Sequence, residues 1–170
     1  MPACLSFEHL LVHTENLAVF VNNLRAYPDG VEFAVHVRRS RDAGLAHPPW
    51  LASPFERHAP FADGADGRGA DRYLRFGVQY ADGRRAQADR FHRLGSSMEP
   101  PLVTYGSGGG GEGRWDQDVW IWGLPQEGSI TVVYSWLAEN VPEASFVLDG
   151  QELRTAASRA RVLWPESPDA

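Results

Sequence analysis

The segment Val31–Arg38 alternates strictly between apolar and polar or small side chains, and this pattern constrains the fold more than any other feature. Its apolar positions are Val31, Phe33, Val35 and Val37. Because successive side chains of a β-strand point to opposite faces, the segment predicts a strand with one buried face and one solvated face. The same alternation returns between Leu74 and Tyr80. The sequence therefore predicts an all-β protein.

Turn residues divide the chain into strands at hairpin spacing. Residues Leu17–Arg38 are predicted to form a hairpin around Pro28-Asp29-Gly30, and residues Tyr73–Phe91 a second hairpin around Asp82-Gly83. We expect the glycine of each turn to supply the positive φ that tight hairpins require.

Two further segments, Trp115–Gly123 and Ser129–Leu137, are apolar on both faces and are joined by a short connection. They predict a third hairpin, in which Trp122 lies opposite Ile130 in the register that we assume. A strand that is apolar on both sides must be covered on both sides. One interpretation is that the opposing sheet covers one face, while the C-terminal helix or a long loop covers the other. The second is that one face is an interface, with its aromatic residues as anchors. These residues are Trp120, Trp122, Tyr134 and Trp136.

Two long segments, at about residues 40–72 and 94–114, show no strand pattern and are predicted to be loops. The second contains the glycine run Gly108–Gly111, which we interpret as a flexible linker because a strand follows it and no lysine accompanies it. Shorter apolar runs at Leu5–His13 and Ser145–Leu148 predict the first and last strands.

The end of the chain changes to the i, i+3, i+4 spacing of a helix, at about residues 150–163. Asp149 is the predicted N-cap and Pro165 the predicted stop. The chain is therefore predicted to be a single domain, residues 1–170, with an antiparallel β-sandwich of about seven or eight strands and one C-terminal α-helix. The sandwich is expected to be immunoglobulin-like or similar, and an up-and-down barrel is the alternative.

Charge and composition exclude several classes of function. The chain has a net charge of −6 and contains no lysine, so that all 16 basic residues are arginine. An acidic chain lacks the basic stripe that nucleic-acid binding needs. Without lysine there is neither a P-loop lysine nor a Schiff-base lysine. The single cysteine, Cys4, excludes an internal disulfide and favours a reducing compartment.

The sequence also indicates where the protein resides. No apolar run approaches the ~20 residues that span a bilayer. Residues 1–13 lack the basic and apolar regions of a secretory signal. We therefore expect a cytoplasmic protein without a membrane partner.

Two carboxylates, Asp116 and Asp118, stand two residues apart and share one strand face with the aromatic residues that follow. Paired carboxylates can bind a cation or serve in acid–base catalysis, but the usual role of such residues is a solvated strand end. The six histidines form no HxH or HExxH pattern, and no nucleophile motif is present. We therefore predict no catalytic residue, no metal site and no cofactor.

Several segments resemble a group of small β-rich proteins without assigned function from high-GC Gram-positive bacteria. The resemblance is carried by Leu24–Arg38, Leu74–Ala86, Val119–Pro125, Val133–Ala144, Leu148–Gly150 and Leu163–Glu166. It implies a cytoplasmic bacterial domain, and it implies no activity or site residue.

These observations favour a non-enzymatic module that binds another protein or a second copy of itself. Its candidate interface residues are Trp120, Trp122, Tyr134, Trp136, Asp116 and Asp118. The first alternative is a small-ligand or carbohydrate binder, in which sugar rings stack on the aromatic residues and carboxylates accept from hydroxyls. The second is a metal-dependent hydrolase that uses Asp116, Asp118 and one or more histidines.

Overall fold

The computed structural model describes residues 1–40, 53–55, 72–88 and 99–164. Within these ranges the chain forms nine strands and one α-helix. The elements are β1 (Ala3–His13), β2 (Leu17–Tyr27), β3 (Gly30–Arg39), β4 (Arg75–Tyr80), β5 (Arg85–Gln87), β6 (Leu102–Gly111), β7 (Arg114–Trp122), β8 (Ile130–Trp136), β9 (Val141–Leu148) and α1 (Gly150–Ala157).

The strands form two antiparallel sheets. The five-stranded sheet has the order β1-β2-β3-β7-β6, and the four-stranded sheet has the order β5-β4-β8-β9. The apolar faces of the sheets pack together, as the ring of Phe33 shows, since its centroid lies 6.1 Å from Phe76 and 6.0 Å from Phe146 in the other sheet. The predicted all-β class with one C-terminal helix is confirmed, and the arrangement is a two-sheet one rather than a barrel.

The first predicted hairpin is confirmed, and its turn works differently from the expectation. Strands β2 and β3 pair from Leu17↔Arg39 to Tyr27↔Gly30, so that Pro28 and Asp29 alone make the connection. Gly30 does not adopt positive φ. Its lack of a side chain matters for packing, because a Cβ here would lie 2.8 Å from the indole of Trp120.

The second hairpin is also present in the described residues. Strands β4 and β5 pair from Gly77↔Gln87 to Gln79↔Arg85. Gly83 has a φ of 88° in the turn, as predicted. Strand β5 ends at Gln87, and the predicted continuation at residues 89–91 lies outside the described residues. So does most of the predicted loop at residues 40–72.

The predicted third hairpin is wrong. Strand β7 lies between β3 and β6, whereas β8 lies between β4 and β9 in the other sheet. Trp122 therefore pairs with Gly30 and Leu102, and Ile130 pairs with Tyr80. A strand that is apolar on both faces can lie in the centre of a sheet, so this pattern does not require β7 and β8 to pair with each other. The residues between β7 and β8 cross from one sheet to the other.

The glycine run is part of a strand, which corrects the predicted loop at 94–114. Residues Leu102–Gly111 form β6, and Gly108–Gly111 pair with β7. At two of these positions, Gly108 and Gly110, the neighbours leave no room for a side chain. A Cβ at Gly110 would lie 2.8 Å from the Trp115 ring, and one at Gly108 would lie 2.7 Å from the side-chain carbonyl carbon of Gln117.

The helix is shorter than predicted. Its N-cap is confirmed, since the Asp149 carboxylate accepts a hydrogen bond of 2.8 Å from the backbone N–H of Glu152. The helix buries Leu153, Ala156 and Ala157 and contacts β1 and β2. It ends at Ala157, well before the predicted end, and the predicted stop at Pro165 lies outside the described residues. No helix in the described ranges is both long and apolar enough to cross a membrane.

Candidate functional site

The structure divides the six predicted interface residues between two environments. Trp120, Trp122, Asp116 and Asp118 alternate with buried residues along β7, and their side chains lie on the outer side of the five-stranded sheet. The other two residues are Tyr134 and Trp136. They lie on β8, where 6% and 3% of their surface is exposed. The predicted aromatic surface is therefore not continuous.

Tyr134 and Trp136 connect the core to backbone groups of other elements. The Tyr134 hydroxyl donates a hydrogen bond of 3.0 Å to the carbonyl of Leu11, on β1 of the opposite sheet. The Trp136 indole N–H donates one of 2.9 Å to the carbonyl of Arg72. Buried polar ends of aromatic residues usually have such partners. Both residues stabilise the fold in the described structure and are not exposed for recognition.

The outer side of the five-stranded sheet carries aromatic and charged side chains in place of a simple solvated surface. We call this surface the outer face. It consists of Phe20, Asn22, Arg25 and Tyr27 of β2, Glu32, His36 and Arg38 of β3, and Asp116, Asp118, Trp120 and Trp122 of β7. All of them except Asp116 are half-buried. They are therefore packed against each other rather than extended into solvent.

One cluster on the outer face centres on Arg25. Its Nη2 lies 3.2 Å from Oε2 of Glu32 and 3.3 Å from Oδ1 of Asp118. The hydroxyl of Tyr27 donates a hydrogen bond of 3.1 Å to the same oxygen of Glu32. One guanidinium group thus holds a carboxylate from each of two neighbouring strands. The Nε of Arg25 is covered and has no hydrogen-bond partner in the described structure.

The environment of Tyr27 favours its neutral form. Burial raises the pKa of Tyr27, and the hydrogen bond to Glu32 and the charge of that carboxylate raise it further. A neutral hydroxyl keeps its proton and remains the donor to Glu32. The cluster therefore keeps one hydrogen-bonding pattern throughout the neutral pH range.

A second cluster centres on Asp116, which pairs with His36 across the β3–β7 ladder. Its Oδ1 lies 2.5 Å from Nδ1 of His36 and accepts a hydrogen bond of 2.6 Å from Nη2 of Arg38. The other ring nitrogen of His36 lies 2.8 Å from the side-chain oxygen of Asn22. The ring of Phe20 stacks on His36 with centroids 4.7 Å apart. The histidine is therefore fixed on three sides.

The pKa of Asp116 reports this environment. Partial burial alone would raise it, but the hydrogen bonds from His36 and Arg38, together with the charge of Arg38, have the larger combined effect and lower the pKa below its ordinary value. Asp116 is thus a carboxylate at neutral pH, and 55% of its side chain is exposed. It serves as the shared acceptor of this cluster.

The aromatic part of the outer face lies at the other end of β7. The ring of Tyr27 meets Trp120 edge to face, with centroids 5.2 Å apart. The six-membered ring of Trp120 lies close above Gly30, where a side chain would collide with it. Trp122 is half-buried beside Gly30 and Leu102. Two tryptophans and a tyrosine thus form a surface next to the Arg25 cluster.

Sequence reasoning placed the four β7 residues on one face and missed their partners on β2 and β3. Alternation does put Glu32, His36 and Arg38 on the polar face of their strand, which by itself predicts solvated side chains. The missing information was the β3–β7 pairing, which sets Glu32 opposite Trp120 and His36 opposite Asp116. That pairing joins positions about 80 residues apart, and no local pattern in the sequence specifies it.

The two carboxylates of β7 do not act as one group in the outer face. Asp116 and Asp118 are each paired with an arginine, and they lie in separate clusters. Among the described residues, no group of three or more His, Cys, Asp or Glu side chains is arranged to hold a metal ion. His47, His58 and His92, which the hydrolase alternative could also use, lie outside the described residues.

Comparisons with protein families, with curated proteins and with solved structures find no match to this chain.

Proposed function

We propose that the protein is a non-enzymatic interaction module that binds a second copy of itself through the outer face. The observation that carries this proposal is the composition of that face, where tryptophan, tyrosine and arginine side chains lie together. These residues are Trp120, Trp122, Tyr27, Arg25 and Arg38. The three residue types are enriched among the residues that dominate the binding energy of protein interfaces, and the two aromatic types bury a large area for few rotatable bonds.

The hydrogen bonds within the outer face support the proposal, because they order its side chains before binding. Arg25 is held by Glu32 and Asp118, and Arg38 by Asp116. A long charged side chain that is already held in one rotamer loses less entropy when a partner covers it. A face made of free arginine side chains would lose that entropy on association.

The size of the face also fits a folded protein partner. The outer face lies on three of the five strands, and the whole outer side of the sheet, with five strands at ~4.8 Å spacing and about ten residues at ~3.3 Å rise, covers roughly 800 Å². A stable interface buries about 800 Å² on each partner. A partner the size of this sheet could therefore bury the aromatic residues at one end together with the ion pairs at the other.

The charge pattern favours a second copy as the partner. In a two-fold symmetric dimer the same patch meets itself, so a patch of one sign would repel its copy. The outer face carries both signs, with Arg25 and Arg38 against Glu32, Asp116 and Asp118. A rotated copy can therefore place guanidinium groups opposite carboxylates.

The test is the mass of the full chain in solution, measured by light scattering after size-exclusion chromatography over a wide range of concentrations. We expect the mass to rise from 18.8 kDa towards twice that value. Trp120→Ala should weaken dimerisation by at least about 30-fold, because truncating one hot-spot tryptophan costs roughly 2 kcal/mol or more and the substitution is present in both copies. Circular dichroism checks that the variant remains folded.

The matched control is Val147→Ala, which truncates an exposed apolar residue of β9 in the other sheet. It should leave the dimerisation constant unchanged. A wild-type chain that remains monomeric at every concentration contradicts the proposal, and so does equal weakening by the two substitutions. In the monomeric case the carbohydrate alternative becomes the stronger candidate, since Trp120 and Asp118 are neighbours on one face.

We also propose a reducing compartment, the cytoplasm, as the place where the module acts. The support is Cys4, which is an exposed free thiol. Exposed single thiols persist where glutathione and thioredoxin keep them reduced.

A further inference from the structure

The outer surface of the four-stranded sheet contains a cavity of about 500 Å³. Gly77 is one of its lining residues and has Gln87 of β5 on one side and Val133 of β8 on the other. Because Gly77 has no side chain, β4 puts no side chain between those of Arg75 and Gln79 on this surface, and the neighbouring side chains form the walls. Ligand cavities in proteins commonly have volumes of about 300–1,000 Å³.

Two arginines flank Gly77 from opposite ends of the cavity. Arg75 precedes it by two residues on the same face of β4, and Arg85 of β5 pairs with Gln79, two residues after it. Four other arginines are paired with carboxylates, namely Arg25, Arg38, Arg39 and Arg84. Among the described residues, Arg75 and Arg85 form no ion pair with a carboxylate.

Arg75 is nevertheless held in place. With the Gln87 amide turned so that its oxygen faces the donors of Arg75, that oxygen accepts hydrogen bonds from Nε and Nη2 of Arg75, the first at 2.9 Å. An amide orients the guanidinium group without cancelling its charge, whereas a carboxylate would neutralise it. The arrangement leaves an oriented cation beside an open cavity.

The remaining polar walls include a hydroxyl, which can donate a hydrogen bond to a ligand, and one carboxylate, which can only accept. Ser135 pairs with Arg75 across the β4–β8 ladder, and Glu143 is the one carboxylate in the lining. With two guanidinium groups and one carboxylate the cavity has a local charge of +1, although the whole chain has a net charge of −6. Anions are repelled by most of this protein, so the cavity is a local exception.

We propose that this cavity binds a small organic anion through its carboxylate or phosphate oxygens. Arg75 provides the fork that takes two of these oxygens, and Arg85 contacts the opposite end of the ligand. Val133, beside Gly77, gives an apolar contact for the carbon skeleton. This site lies on the other sheet from the outer face and is independent of the dimer proposed above.

The test is an NMR titration of the ¹⁵N-labelled full chain with citrate and, separately, with inorganic phosphate, at an ionic strength held constant with chloride. We expect saturable shifts of the amide signals of Gly77 and Val133. Arg75→Gln and Arg85→Gln should each weaken binding about tenfold, because a charged hydrogen-bond donor is lost. Arg85 is exposed, so its substitution leaves the core intact.

The control is Arg159→Gln, which removes an exposed arginine that follows the helix. Its affinity for either anion should equal that of the wild type. A response to citrate alone assigns a carboxylate ligand, a response to phosphate alone assigns a phosphate ligand, and a response to both supports recognition of anionic oxygens in general. The proposal is overturned if neither anion shifts the Gly77 region, or if Arg159→Gln weakens binding as much as Arg75→Gln.

Discussion

Tyr80 connects the two sheets through a single hydroxyl group. It lies on β4 and is almost fully buried, and its hydroxyl donates a hydrogen bond to the carbonyl of Gly123, where the chain leaves β7. The guanidinium group of Arg84 lies 5.4 Å from the centre of its ring. Burial raises the pKa of Tyr80 to about 12, since a phenolate in this position would lose its hydration.

This raised pKa predicts a loss of stability in alkali. In the unfolded chain Tyr80 ionises near its ordinary pKa of about 10, whereas in the folded chain it keeps its proton to about 12. The unfolded state therefore binds fewer protons above about pH 10, and the free energy of unfolding falls as the pH rises. Between about pH 9 and pH 11 this one group accounts for a loss of about 1 kcal/mol.

Tyr80→Phe should remove this loss of about 1 kcal/mol between about pH 9 and pH 11. It also removes the hydrogen bond to Gly123 and should therefore lower the free energy of unfolding at neutral pH. Urea unfolding at several pH values, followed by circular dichroism, measures both effects. A variant whose stability falls between about pH 9 and pH 11 as steeply as that of the wild type would show that Tyr80 is not the responsible group.

At the scale of single elements, the second half of β6 shows that a strand can continue through residues that have no hydrophobic pattern. Its glycines alternate between two environments. Gly108 and Gly110 lie against the side chains of Gln117 and Trp115, and Gly109 and Gly111 have no atom within 4 Å of the position of a Cβ. Gln117 also donates hydrogen bonds of 2.9 and 3.0 Å to the carbonyls of Gly106 and Ser107, next to the bulge in β6. The glycine half of β6 is therefore positioned by the side chains of Gln117 and Trp115 that pack against it.

Alanine substitutions at two adjacent glycines of β6 should have opposite effects on stability. Gly110→Ala places a methyl group 2.6 Å from the Cα of Trp115 and should lower the free energy of unfolding by roughly 1–3 kcal/mol. Gly109→Ala meets nothing and should raise it by up to about 1 kcal/mol, because alanine lowers the entropy of the unfolded chain. Urea unfolding measures both values. Equal effects at the two positions would contradict the packing that we describe for β6.

The contrast between β3 and β6 explains how far the sequence predicts this structure. Alternating side chains in β3 are a local signal, so the strand and its hairpin with β2 could be predicted. Glycines carry no such signal, and the glycine half of β6 is packed by Trp115 and Gln117, which lie across the ladder. In the same way, the spacing of Asp116, Asp118 and Trp120 predicts a shared face. Their contacts with Arg25 and Glu32 depend on strand pairings that the sequence does not specify.

At the scale of the whole molecule, one core supports two outer surfaces of different chemistry. The five-stranded sheet presents arginines that are paired with carboxylates and lie beside aromatic rings, whereas the four-stranded sheet presents Arg75 and Arg85 around an open cavity. Between the sheets, Phe33 contacts both Phe76 and Phe146. At one edge of the core Arg39 pairs with Glu139 at 2.6 Å. Either surface keeps its geometry only while the two sheets remain packed.

This shared core predicts that the two sheets unfold together. Phe33→Ala should lower the free energy of unfolding by about 3–5 kcal/mol, because it leaves a cavity between the sheets. Phe20→Ala, the same change on the half-buried outer face of the same sheet, should cost clearly less. Hydrogen exchange of β2 and β8 amides under urea should report one common transition in the wild type and in both variants. Separate transitions for the two strands would show that the sheets are independently stable, and equal costs for the two substitutions would contradict the packing of Phe33 between the sheets.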